Sequence, residues 1–64
     1  MRAMSKADLQ KARRALSAAD ISLSLCRGVF ISAGYAQGAS AVNAILRRID
    51  DLIGKIDRAL ARKP

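Results

Sequence analysis

The chain has 64 residues with twelve Lys and Arg against five Asp, a formal charge of +7, and is 52% hydrophobic with one Cys, one Pro and no His. Domains of about 60 residues bury only about 60% of the surface their unfolded chain exposes, so a core of this size needs support. One Cys and no His exclude a zinc staple or a disulfide framework, the apolar content excludes disorder, and the absence of Glu as well leaves little acid, base or nucleophile.

The chain therefore reads as a non-enzyme with no catalytic residue, metal, cofactor or small-molecule substrate. A second copy of itself is the remaining source of support.

In chain order, Ser5 followed by Asp8 predicts a helix N-cap with a variant capping box. Leu9, Ala12, Leu16, Ala19, Leu23, Cys26, Phe30 and Ala33 then recur at alternating steps of three and four, which predicts a first helix over about 6–33. Large residues occupy one column of that seam, Leu9, Leu16, Leu23 and Phe30, and small ones the other, where a neighbouring helix approaches closely. A competing pattern runs through the middle. Ile21-Ser22-Leu23-Ser24-Leu25 alternates with period two and Arg27-Gly28 resembles a tight turn, so the alternative fold is helix, β-hairpin, helix. The unbroken seam and the weakness of an isolated hairpin favour the helix. Asp8 and Asp20 interrupt the order of basic and apolar regions that a secretory signal requires.

The segment 34–39, with two Gly and no charge, is predicted as the turn. A second helix follows over about 40–62. Val42, Ile45, Ile49, Leu52, Ile56 and Ala59 repeat the seam, while Leu46, Ile53 and Leu60 add a flanking column that widens the apolar stripe beyond 100°. One neighbour cannot cover that width. The expected fold is all-α: a single domain over 1–64, an antiparallel helical hairpin pairing as a homodimeric four-helix bundle.

In such a hairpin the charge separates by end. Arg2, Lys6, Lys11, Arg13, Arg14, Lys55, Arg58, Arg62 and Lys63 stand at the open end with only Asp8 and Asp57, nine bases against two acids. At the turn end three bases, Arg27, Arg47 and Arg48, match three acids, Asp20, Asp50 and Asp51. Cations in the first turns of a helix oppose its dipole, so Lys11, Arg13 and Arg14, with Arg58 and Arg62, are the candidate anion-facing patch. Ile21, Leu25 and Ile31 fall off the seam, and Tyr35 adds an aromatic anchor; these four are the candidate apolar surface for a partner.

The expected function is a small regulatory or interaction protein, of adaptor or inhibitor type, that binds a protein partner stoichiometrically in the cytoplasm. The alternative is a basic helical-hairpin dimer that binds RNA or DNA, although no zinc finger or aromatic stacking platform is present. No membrane partner is expected: Gln37, Asn43 and three Gly make the uncharged stretch from Gly28 to Leu46 a poor span.

Overall fold

A computed structural model describes residues 4–62. Two helices, α1 (Lys6–Ser32) and α2 (Ala36–Ala61), pack against each other as a hairpin 49 Å long, and no strand occurs among the described residues. The β-hairpin alternative is thus replaced by continuous helix through Ile21–Ile31. Of the open-end bases, Arg2 and Lys63 lie outside the described residues.

Helix α1 starts where its sequence provides a cap. The Ser5 hydroxyl accepts from the Asp8 backbone N–H at 3.1 Å, and the Asp8 carboxylate accepts from the Ser5 N–H at 3.4 Å. Two of the donors that a helix start leaves unpaired are thereby satisfied, and Asp8 also complements the dipole. Gly28, exposed in the interior of α1, has nothing within 4 Å of where a Cβ would stand. Gly28→Ala should therefore raise stability by about 0.5–1 kcal/mol, read as a higher urea midpoint at unchanged m-value.

Helix α1 ends in a Schellman motif. The Tyr35 N–H donates to the Phe30 carbonyl at 2.8 Å and the Gly34 N–H to the Ile31 carbonyl at 3.1 Å. Gly34 has φ 77, a left-handed conformation that Gly adopts without a Cβ penalty. The apolar contact that accompanies this motif is the edge-to-face pair of Phe30 and Tyr35, with centroids 5.4 Å apart and ring planes at 76°.

This compact closure moves the second helix. Sequence placed its start near residue 40, whereas α2 begins at Ala36, and the Ala39 N–H donates to the Tyr35 carbonyl at 3.2 Å. The reason is Gly38. It is a packing residue rather than a turn residue: it is buried, and a Cβ there would stand 2.6 Å from Tyr35 Cδ2 and 2.9 Å from Phe30 Cδ2.

The interior is thin. Ala39, Val42, Leu46 and Ile49, all on α2, are the buried hydrophobic residues, and α1 buries none of its own. On α1, Leu9, Leu16, Leu23 and Phe30 are half-buried, as are Ile53, Ile56 and Leu60 on α2 toward the open end. Ile45 and Leu52 remain 46% exposed. The accessible surface is 5215 Å². A compact monomer of this 6.8 kDa mass would expose about 4,000 Å².

Candidate interaction surfaces

Two cross-helix contacts fix the rotation of the helices. Arg13 Nε donates to Asp57 Oδ1 at 2.6 Å and its Nη2 to Oδ2 at 3.4 Å; Arg27 Nη1 donates to Asn43 Oδ1 at 2.8 Å. Between them Asp20 and Asp50 line one open cleft of about 440 Å³ together with Ser24, Arg27, Asn43, Leu46 and Arg47. Each step of seven forward on α1, Arg13 to Asp20 to Arg27, is matched by seven back on α2, Asp57 to Asp50 to Asn43. Residues seven apart share a helix face, so one broad side of the hairpin is a polar seam in heptad register.

The Arg13 guanidinium is held above its usual range, first by the hydrogen bond to Asp57 and then by that carboxylate's charge. Both side chains are about half exposed, so the pair acts as a register mark more than as a source of stability.

The opposite broad side is uncharged at its centre, with Arg48 and Lys55 at its rim on α2. Helical phase places Ala12, Ala15, Ala19, Ser22 and Cys26 there from α1, and Ile45, Leu52 and Ala59 from α2. Cys26 is a free, half-buried thiol on this side. Small residues on one helix beside exposed Ile45 and Leu52 on the other form a surface that another helix can approach closely.

The outer face of α1, turned away from α2, has a different character. Ile21, Leu25 and Val29, spaced by four, are 64%, 69% and 66% exposed; Ile21 and Leu25 stand as a ridge on this outer face, and Val29, seven residues beyond Ser22, lies at its margin with the small-residue side. Val29 was absent from the surface inferred by sequence, although the step of four from Leu25 was its signal. Ile31 is 62% exposed but stands off this ridge, lining a cleft of about 360 Å³ at the turn with Gly34, Ala36, Ala39, Ser40 and Asn43. Tyr35, half exposed, packs on Phe30 and belongs to the turn. The structure therefore brings Ile21 and Leu25 together and sets Ile31 and Tyr35 apart from them.

The five candidate bases are distributed as well. Lys11 and Arg14 continue the outer stripe of α1 below Ile21; Arg13 is engaged with Asp57; Arg58 and Arg62 lie by phase on the outer face of α2, with Arg58 Nη1 3.7 Å from the Cβ position of Gly54. Among the described residues the open end carries seven bases against two acids. It is a cationic end rather than a single patch.

Among the described residues no group of three or more His, Cys, Asp or Glu is arranged to hold a metal ion. By length and composition α1 is apolar enough to cross a membrane, with a mean hydropathy of 1.3 over its best 18-residue window, a test that core helices and signal sequences also pass. Compared with protein-family models, curated proteins and solved structures, the chain matches none of them.

Proposed function

We propose that the chain is a non-enzymatic interaction protein of the cytoplasm that pairs with a second copy and, as that dimer, binds a protein partner stoichiometrically. The observation that carries this reading is the outer ridge of α1. Two large apolar side chains, Ile21 and Leu25, each about two-thirds exposed on the helix face pointing away from the hairpin interface, serve no purpose in the fold of one chain.

Pairing rests on area. The chain exposes 5215 Å², above the roughly 4,000 Å² of a compact monomer of its mass, and Ile45 and Leu52, each 46% exposed, are the apolar surface a second copy would cover. The small-residue side, with Ile45 and Leu52, is the face for the second copy, since the other broad side carries Asp20, Arg27, Arg47 and Asp50. Stacking two such sides gives a four-helix bundle in which Ile21 and Leu25 still point outward.

The distribution of cations favours protein over nucleic acid. Phosphate tracking rewards bases aligned on one surface, whereas Lys11 and Arg14, Arg13, and Arg58 and Arg62 occupy three different sides. A purely electrostatic role is better matched to steering an acidic partner.

Two double substitutions separate the surfaces. Ile45→Asp with Leu52→Asp should weaken the dimer on the order of a hundredfold, measured by sedimentation equilibrium, by placing charges in the pairing face. Ile21→Asp with Leu25→Asp should leave the dimer intact and abolish salt-insensitive protein capture. If capture instead follows RNA or DNA, falls steeply with salt and survives the ridge substitutions, the nucleic-acid reading replaces this one.

A further inference from the structure

We infer that the outer face of α1 receives an amphipathic helix of the partner protein, one with apolar residues over about two turns and Asp or Glu over the one or two turns beyond. This rests on the protein-binding reading and specifies the chemistry of the partner. Ile21 and Leu25 stand on this face about 6 Å apart along the axis at 1.5 Å per residue, and Val29, a further turn along, extends the apolar run to its margin, about two helical turns in all. Ala18, Ser22, Gly28 and Ser32 flank them, and the space above Gly28 is open within 4 Å. A ridge of large side chains spaced by four beside rows of small ones is the surface into which a second helix sets its own ridges.

The same stripe continues from Ile21 through Ala18 to Arg14 and Lys11, and it carries no acid. Of the two acids on α1, Asp8 is engaged in the cap with Ser5, and Asp20 lies on the polar seam. A ligand that follows the stripe therefore meets apolar side chains and then two cations in line with them. Complementarity asks for a helix whose apolar run ends in carboxylates.

Other occupants fit less well. A bilayer surface binds helices that carry an apolar band along their length with cations on its flanks, whereas here the cations stand beyond the end of a short ridge. A second copy of this chain offers no acid on its own outer stripe, so Lys11 and Arg14 would face apolar groups or like charge. The polar seam already uses Arg13, which leaves no continuous cationic track for a phosphate backbone.

The test is selection from a displayed library of random helical peptides on the intact dimer, with vesicles of phosphatidylglycerol and phosphatidylcholine and a 20-base-pair duplex as competing probes. Enriched peptides should converge on apolar residues at steps of three and four followed by Asp or Glu. Ile21→Asp with Leu25→Asp should abolish their binding. Lys11→Glu with Arg14→Glu should weaken it about fivefold at low salt and, in a repeated selection, shift enrichment from acidic to basic ends. Enrichment of apolar helices with no charge preference, unchanged by the reversal, would overturn this inference and leave the protein-binding reading standing. Vesicle or duplex binding that depends on Ile21 and Leu25, with no peptide enriched, would overturn both. Circular dichroism and sedimentation of each variant check that fold and dimer persist, and both pairs of positions are exposed in the hairpin.

Discussion

Leu46→Ala should destabilise the protein by about 2–3 kcal/mol and deplete both hairpin and dimer at concentrations where the parent is intact. Leu46 is 8% exposed and is one of four buried hydrophobic residues among those described. Leu-to-Ala changes in protein cores cost about 2–5 kcal/mol, as lost transfer energy plus the cavity left behind. The lower part of that range applies here because Leu46 also borders the open cleft of the polar seam, so part of the void can fill with water. A urea titration followed by circular dichroism reads the loss directly, at one protein concentration because dimer stability depends on it. Leu52→Ala provides the contrast. Its side chain is 46% exposed in the single chain, so its effect should fall on association and grow as the protein is diluted.

The second large effect should come from adding one methyl group. Gly38→Ala is favourable by helix propensity by about 1 kcal/mol, and on that ground alone would stabilise α2. The structure predicts the reverse. The new Cβ would stand 2.6 and 2.8 Å from two carbons of the Tyr35 ring and 2.9 Å from Phe30 Cδ2. The Phe30–Tyr35 pair closes the Schellman turn, so neither ring can withdraw without loosening the joint that sets the hairpin register. Overpacking of this kind costs about 1–3 kcal/mol, and with contacts this short the upper part of that range applies, leaving a net loss of up to about 2 kcal/mol, measured by urea denaturation. Gly28→Ala and Gly38→Ala should thus have opposite signs, although both replace a helical Gly.

The glycines show where the sequence is legible and where it is not. The capping box at Ser5 and Asp8 and the two helical periods are local signals, and both helices form. The turn was drawn too long because Gly34 and Gly38 look alike in sequence. One is required for its backbone conformation and the other for lack of a side chain, and only the position of Tyr35 and Phe30 tells them apart.

On α2 two apolar columns overlap at the same period, and a helical wheel does not say which one faces α1. Val42, Leu46 and Ile49 are the ones turned inward, with Ile45 and Leu52 on the flank, and the pairings of Arg13 with Asp57 and Arg27 with Asn43 mark the rotation that results. Those pairings join residues 44 and 16 positions apart, beyond the reach of any local pattern. For the same reason Arg13, read with Arg14 as one basic cluster, parts from it: neighbours in a helix point about 100° apart.

The central claim is that a single hairpin leaves too much apolar surface in water and exists as a pair. Sedimentation equilibrium of the full chain at micromolar concentration tests this most directly. The account predicts a species of twice the 6.8 kDa chain mass that Ile45→Asp with Leu52→Asp converts to a single, poorly folded chain. A parent protein that sediments at 6.8 kDa and still melts cooperatively would contradict it.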